Sequence, residues 1–234
     1  MKRFLSALIM FLFIFPFLSY AMNGMEIYNK YMENEKQVEK KINKAVFEHE
    51  SRSEGMVISG KIYIKGDKSR MESVVVESPD SMMIKKGHKT VMIDDGKNIS
   101  TFSSEGEFHS FPKDSEEDEE EPKPVSVTYI GKETVSGLEC YRIEAEFDFG
   151  EKSEMWISVK DFLLVKESMD NGNVIELSSD FRKVSGIMMP FKSQTIEEGE
   201  VTETSVLKSV KLDQDTDDSL YDPTKMKGYK KPAQ

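Results

Sequence analysis

From Met56 to Leu212 apolar and polar residues alternate in short runs, and nearly every run stops at a Gly, Asn or Asp turn. That period of two is the constraint that decides what this chain folds into, because successive side chains of a strand point to opposite faces. In GMVISGKIYIKGDKSRMESVVVE, Met56, Ile58, Ile62 and Ile64 share one face, and Ser59, Lys61, Tyr63 and Lys65 the other. Gly66-Asp67 turns the chain into a second strand. Asp95-Gly96 is a strong hairpin dipeptide inside MMIKKGHKTVMIDDGKNISTF. Further on, Tyr141, Ile143, Ala145 and Phe147 alternate with Arg142, Glu144 and Glu146, and Met155, Ile157 and Val159 continue the pattern. The reading is mainly β with one N-terminal helix: an antiparallel meander of about ten or more strands, which must close, curl or be capped to protect its edges.

The one helical signal precedes the strands. Asn23 is placed to cap and Glu26 to reach back to it. Met25, Tyr28, Met32, Val38, Ile42 and Ala45 recur at steps of three and four, with Glu35 as a gap. This predicts an amphipathic helix over 22–47.

Ahead of it, MKRFLSALIMFLFIFPFLSYA has the basic start, apolar run and small residues Ser19 and Ala21 of a secretory leader cleaved after Ala21. An uncleaved anchor is the rival reading of that run. With Cys140 the sole cysteine of 234 residues, no intrachain disulfide is available. The net charge of −11, or −13 without Lys2 and Arg3, argues against nucleic-acid binding.

Between Pro112 and Pro124 stands an acidic run, with seven carboxylates from Asp114 to Glu121. Like charges repel and the prolines disfavour helix and strand, so it reads as a solvated loop insert, with a weak cation site and a docking tail as the other readings. The expected organisation is a leader at 1–21, one domain over 22–223 with the insert at 112–124, and a polar tail at 224–234.

Catalytic and metal motifs are missing from the sequence. His49, His88 and His109 lie in different strands without ligand spacing. No nucleophile elbow, phosphate loop or dinucleotide fingerprint occurs. DQDTDD at 213–218 begins like a calcium loop but has Asp218 where glycine is required and Thr224 where the bidentate Glu should be. Asn98-Ile99-Ser100 fits a glycosylation acceptor, which the hairpin context makes incidental. No cofactor or metal is expected, and no enzymatic activity. Trp156 reads as a packing anchor or as stacked on the outside of the sheet.

A leader, one amphipathic helix and a long meander resemble the periplasmic lipoprotein-carrier family, LolA-like and often labelled outer-membrane lipoprotein-sorting proteins. The resemblance is carried by GKIYIKGDKSRMES, TVMIDDGKNISTF, YIGKETVSGLECYRIEAEF with MWISVKDFLLVKES, SDFRKVSGIMMPFKSQ and SLYDP, which together span most of residues 23 to 223. It implies a curled antiparallel sheet forming an incomplete, half-open barrel whose concave face holds acyl chains under a helix. The chain departs from the family where lid helices would stand, because the acidic run has no apolar helical stripe.

On this reading the groove is lined by Met56, Ile58, Ile62, Ile64, Tyr141, Ile143 and Phe147, with ordinary core as the competing reading for each; Arg70 reaches a head group or a lid if it points into the concave face, and pairs with a surface Glu if it points outward. Thirteen of the 15 methionines follow Ala21, which suits an adaptable groove. The implied role is a periplasmic carrier or binder of acylated molecules, with the acyl chains of lipoprotein or lipid as cargo. Envelope membrane proteins would act as donor and acceptor. The alternative is a non-enzymatic cell-envelope scaffold or regulatory module, its curled sheet filled by its own side chains, that binds a protein partner.

Overall fold

The computed structural model describes residues 22–113, 123–148 and 150–229. The leader and the acidic stretch 114–122 lie outside the described residues.

Helix α1 (Gly24–Ile42) starts where its sequence signal stands, with the Asn23 side chain accepting from the Glu26 amide at 2.8 Å. It ends earlier than the apolar steps suggest. Asn43 closes it, and Ala45, already in β1 (Lys44–Ser53), belongs to the sheet. The sequence-based helix over 22–47 is thus corrected at its end. Ala45 and Phe47 are more stably buried by pairing with strands on both sides than by one more helical turn.

β1 is followed by β2 (Met56–Lys65), β3 (Lys68–Glu77), β4 (Lys89–Asp94), β5 (Asn98–Ser103) and β6 (Phe108–Pro112). Then come β7 (Pro124–Val135), β8 (Leu138–Phe147), β9 (Lys152–Ser158), β10 (Leu164–Met169), β11 (Val174–Val184), β12 (Ile187–Glu197) and β13 (Glu200–Leu212). Among the described residues they form one thirteen-stranded sheet in the order β6-β5-β4-β3-β2-β1-β13-β12-β11-β10-β9-β8-β7. All its pairs are antiparallel. The chain enters the sheet at its middle, builds outward to β6, resumes at the opposite edge with β7 and returns to pair β13 with β1. The sheet is curled and unclosed. Its two edges are consecutive in sequence, and the acidic stretch is part of the segment that joins them.

Tight turns hold this register. Glu54-Gly55, Ser136-Gly137, Ser185-Gly186 and Glu198-Gly199 all have positive φ at both residues. That is the type I′ geometry whose twist matches paired strands.

Helix α1 crosses the concave face. At its start Ile27 and Tyr28 pack with Ile143, Ala145, Met155 and Ile157. At its end Val38 and Ile42 pack against the cluster of Ala45, Phe47, Ile187, Met189, Phe191 and Leu212.

The opposite face carries a separate cluster of Cys140, Trp156 and Val165. The Trp156 ring lies under Lys166 at 4.1 Å and Arg142 at 5.2 Å, and its Nε1 donates to Glu133 at 2.9 Å. The C-terminal segment covers another part of this face. Lys65 pairs with Asp218 at 2.8 Å, and Tyr229 packs edge-on against Phe108 at 5.4 Å. Residues 224–229, expected in a loose polar tail, are therefore docked.

Candidate ligand groove

The strand registers arrange the concave face in rows that run across the sheet. Ile64 stands opposite Ala45, and Ile62 opposite Phe47. Val210 faces Phe47 and Leu212 faces Ala45 from the other side. With Met189 and Phe191 of β12 these make an apolar floor at the end where α1 finishes.

The next row pairs Leu207 with His49 and His49 with Gly60. A Cβ at Gly60 would lie 2.4 Å from the His49 ring, so only glycine leaves room for the imidazole there. His49 Nδ1 is buried without a hydrogen-bond partner. Burial lowers the pKa of this histidine, so the ring is neutral at pH 7.

Beyond His49 the face turns polar. Ser178 stands opposite Ser193, Ser193 opposite Ser205 and Ser205 opposite Ser51, a row of four hydroxyl residues. One row further out, Glu167 faces Glu176, Glu176 faces Thr195, and Thr195 faces Glu203. Glu203 accepts from Ser51 at 2.7 Å and Ser205 at 3.0 Å.

Two cavities lie along this gradient. One of about 390 Å³ is lined by Phe47, His49, Ile62, Ile64, Phe191 and Leu207, with Ser193 and Ser205 at its polar border. The other, about 680 Å³, lies by the rim among Phe147, Ser153, Glu167 and Met169. Among the described residues no group of three or more His, Cys, Asp or Glu is placed to hold a metal ion.

Burial raises the Glu167 carboxyl above its ordinary range; hydrogen bonding from Ser153 opposes that rise and the Glu176 charge adds to it. The folded state therefore holds this proton more tightly than the unfolded chain. The resulting cost is absent below the ordinary Glu range, grows as pH rises through the raised folded value, and is complete above it. Glu167→Gln should raise the melting temperature at pH 7 and leave it nearly unchanged in acid below the ordinary Glu range. Equal shifts at both pH values would contradict the burial argument.

Of the residues singled out from sequence, Ile62 and Ile64 line the smaller cavity. Met56 and Ile58 share their face nearer the rim, opposite Ser53 and Ser51. Tyr141 and Ile143 lie on the concave face of β8, but they pack with the α1 cluster, and Ile143 is fully buried. Phe147 reaches the larger cavity.

Arg70 is a correction. It stands opposite Tyr63 and Ile93, on the face away from Ile62. Its guanidinium donates to the Leu220 carbonyl at 3.0 Å, to the Met226 sulfur at 3.5 Å and to Glu72 at 2.7 Å. It clamps the C-terminal segment rather than lining the groove. Arg70→Leu should cost about 1.5 kcal/mol, a charge-assisted bond to a half-buried carbonyl. It should speed amide exchange over 218–229 while leaving groove binding unchanged; unchanged exchange there would refute the clamp.

Sequence reading missed Phe47, His49, Phe191, Leu207 and the serine row. Alternation within β1 (Ala45, Phe47, His49, Ser51) was the available signal for the first two.

Comparison with curated proteins finds no match. Among solved structures, a DUF1329 family protein from Desulfovibrio piger ATCC 29098 aligns over 86% of this chain and 97% of its own, with 13% identity and a TM-score of 0.55. A putative outer membrane lipoprotein-sorting protein domain from Vibrio parahaemolyticus aligns over 86% and 97%, with 7% identity and a TM-score of 0.54. A LolA superfamily protein from Nitrosomonas europaea aligns over 86% and 98%, with 14% identity and a TM-score of 0.47. The curled, unclosed sheet expected from the resemblance is the fold of this chain, shared with the DUF1329 family protein and the putative lipoprotein-sorting domain. Residues 44–169, more than half of the chain, match the model of the family described as "Domain of unknown function (DUF4412)", and the chain belongs to that family.

Proposed function

We propose that this protein is an exported, periplasmic carrier or binder of acylated molecules, lipoprotein or lipid, and that it works without catalysis. The observation that carries this reading is the cavity of about 390 Å³ on the concave face, within the size range of small-ligand sites. Its walls are apolar at one end, and Ser193 and Ser205 of the serine row, with Lys192, border the other. An amphiphile fits such a gradient: methylenes leave water against Phe47, Ile62 and Phe191, each stabilising the complex by about 0.8 kcal/mol. Its polar end meets the Ser193 and Ser205 hydroxyls and Lys192. The concave face directly under the start of α1 is packed by the protein's own side chains. Of the two cavities, the larger has Glu151, Lys152, Glu167 and Asp170 in its lining, so this reading assigns the cargo to the more apolar one on the β1, β2, β12 and β13 side.

Two further features support the reading. Among the described residues no helix is long and apolar enough to cross a membrane. The N-terminal 21 residues have the pattern of a cleaved leader. Donor and acceptor proteins of the envelope would load and empty the groove. Titration with a fluorescent fatty acid should saturate near one probe per chain with a blue-shifted emission; a linear, unsaturable response would reject the groove as a binding site and favour the protein-binding scaffold.

A further inference from the structure

The loop between β3 and β4, residues 78–88, presents apolar side chains to solvent in an unusual way. Met83 is 94% exposed and Ile84 47%. The loop is nevertheless pinned. The Ser78 hydroxyl donates to the Ile84 carbonyl at 2.6 Å, the Met82 amide to the Pro79 carbonyl at 3.0 Å, and Lys85 Nζ to the Asp80 carbonyl at 2.8 Å. A Cβ at Gly55 would stand 3.1 Å from the Pro79 ring, so the neighbouring β1–β2 turn supports the loop's base. Met83 and Ile84 are thus held outward by local bonds.

A short basic stretch follows them in an otherwise acidic chain, with Asp80 the one carboxylate within the loop and Glu77 just before it. Between Asp80 and Asp94 there is no carboxylate, while Lys85, Lys86 and Lys89 fall within five positions of a protein with a net charge of −11. Lys86 and Lys89 make no ion pair among the described residues. His88 alone in this stretch meets a carboxylate, Glu105, at 3.2 Å. The loop follows Glu77, which stands opposite Val57, so it lies beside the β1–β2 turn at the polar end of the groove.

We propose that this loop docks the protein on an anionic lipid bilayer, with Met83 and Ile84 entering the headgroup–acyl boundary and Lys85, Lys86 and Lys89 facing lipid phosphates. An apolar pair flanked by lysines is the pattern that binds such interfaces, and a chain this acidic needs a local basic site to approach one. Docking in this way turns the polar mouth of the groove toward the membrane. The proposal does not depend on the groove being occupied.

The test uses the full exported chain with vesicles of phosphatidylethanolamine and phosphatidylglycerol. Met83→Cys is labelled with an environment-sensitive fluorophore; the remaining thiol, Cys140, is fully buried and does not compete. The label should shift to the blue and brighten on these vesicles. The response should fall at least threefold on phosphatidylcholine vesicles, and likewise with Lys85→Glu and Lys86→Glu together. In co-sedimentation, Met83→Asp with Ile84→Asp should lower the bound fraction at least threefold while fatty-acid uptake in solution stays unchanged. No spectral response to the anionic vesicles, an equal response to neutral ones, or undiminished sedimentation of the Asp variant would overturn the proposal. A loss of fatty-acid uptake in the unmodified chain would instead count against the groove reading alone.

Discussion

Ile62→Trp is expected to weaken fatty-acid binding at least tenfold while the protein remains folded. Ile62 stands between Phe47 on β1 and Met71 on β3 and lines the cavity of about 390 Å³. It is only partly buried, so an indole has free volume to enter and its overpacking cost stays at the low end of about 1–3 kcal/mol. The volume it takes is volume an acyl chain would use. Excluding two methylenes removes roughly 1.6 kcal/mol at about 0.8 kcal/mol each, which is slightly more than a factor of ten in affinity. Tyr63 is the control. It stands one residue along on the opposite face, across from Val46 and Arg70, and Tyr63→Trp should leave uptake unchanged. Equal losses in both variants would mean that the probe does not sit in this cavity.

The second large effect concerns the attachment of α1. A Cβ on Gly24 would lie 2.5 Å from the Val127 carbonyl oxygen and within 2.9 Å of two β7 backbone carbons. Those atoms cannot give way easily, because Val127 and Thr128 are paired with Ala145 and Glu144 of β8. Alanine is a better helix former than glycine by up to about 1 kcal/mol, so helix propensity alone predicts a gain from Gly24→Ala. The contact predicts the reverse. The helix start must lift, and Ile27 and Tyr28 lose part of their cover against Ile143 and Met155. A partial loss from side chains worth about 1.5–3 kcal/mol each gives an expected destabilisation of about 2–3 kcal/mol in urea unfolding. Stabilisation by this substitution would show that α1 does not rest on β7 as described.

How much of this was legible in the sequence differs from residue to residue. The period of two in β2 places Ile62 and Ile64 on one face, and the two-residue turn at Gly66-Asp67 then puts Arg70 opposite Tyr63. The face of Arg70 was therefore within reach of counting. Its partners were not, because Leu220 and Met226 are some 150 residues away. The helix end was obscured because Val38, Ile42 and Ala45 keep a helical spacing up to the residue where β1's own alternation begins, with no Gly or Pro between them. The row Ser178–Ser193–Ser205–Ser51 depends on β13 returning to pair with β1, a register set by long-range closure and shifted by a bulge between Glu48 and His49. Local patterning carries no record of such a closure, so the polar end of the groove was hidden while its apolar wall was partly visible.

The central claim is that the concave cavity carries an acyl chain. Native mass spectrometry of the mature protein, purified from the envelope without detergent and followed by organic extraction, tests it most directly. The expected result is a set of discrete adducts whose extracted masses match acyl lipids or an acylated peptide, reduced in Ile62→Trp and retained in Tyr63→Trp. A clean unliganded mass in all three proteins, with no uptake of added fatty acid, would contradict the carrier reading and leave the sheet as a scaffold for a protein partner.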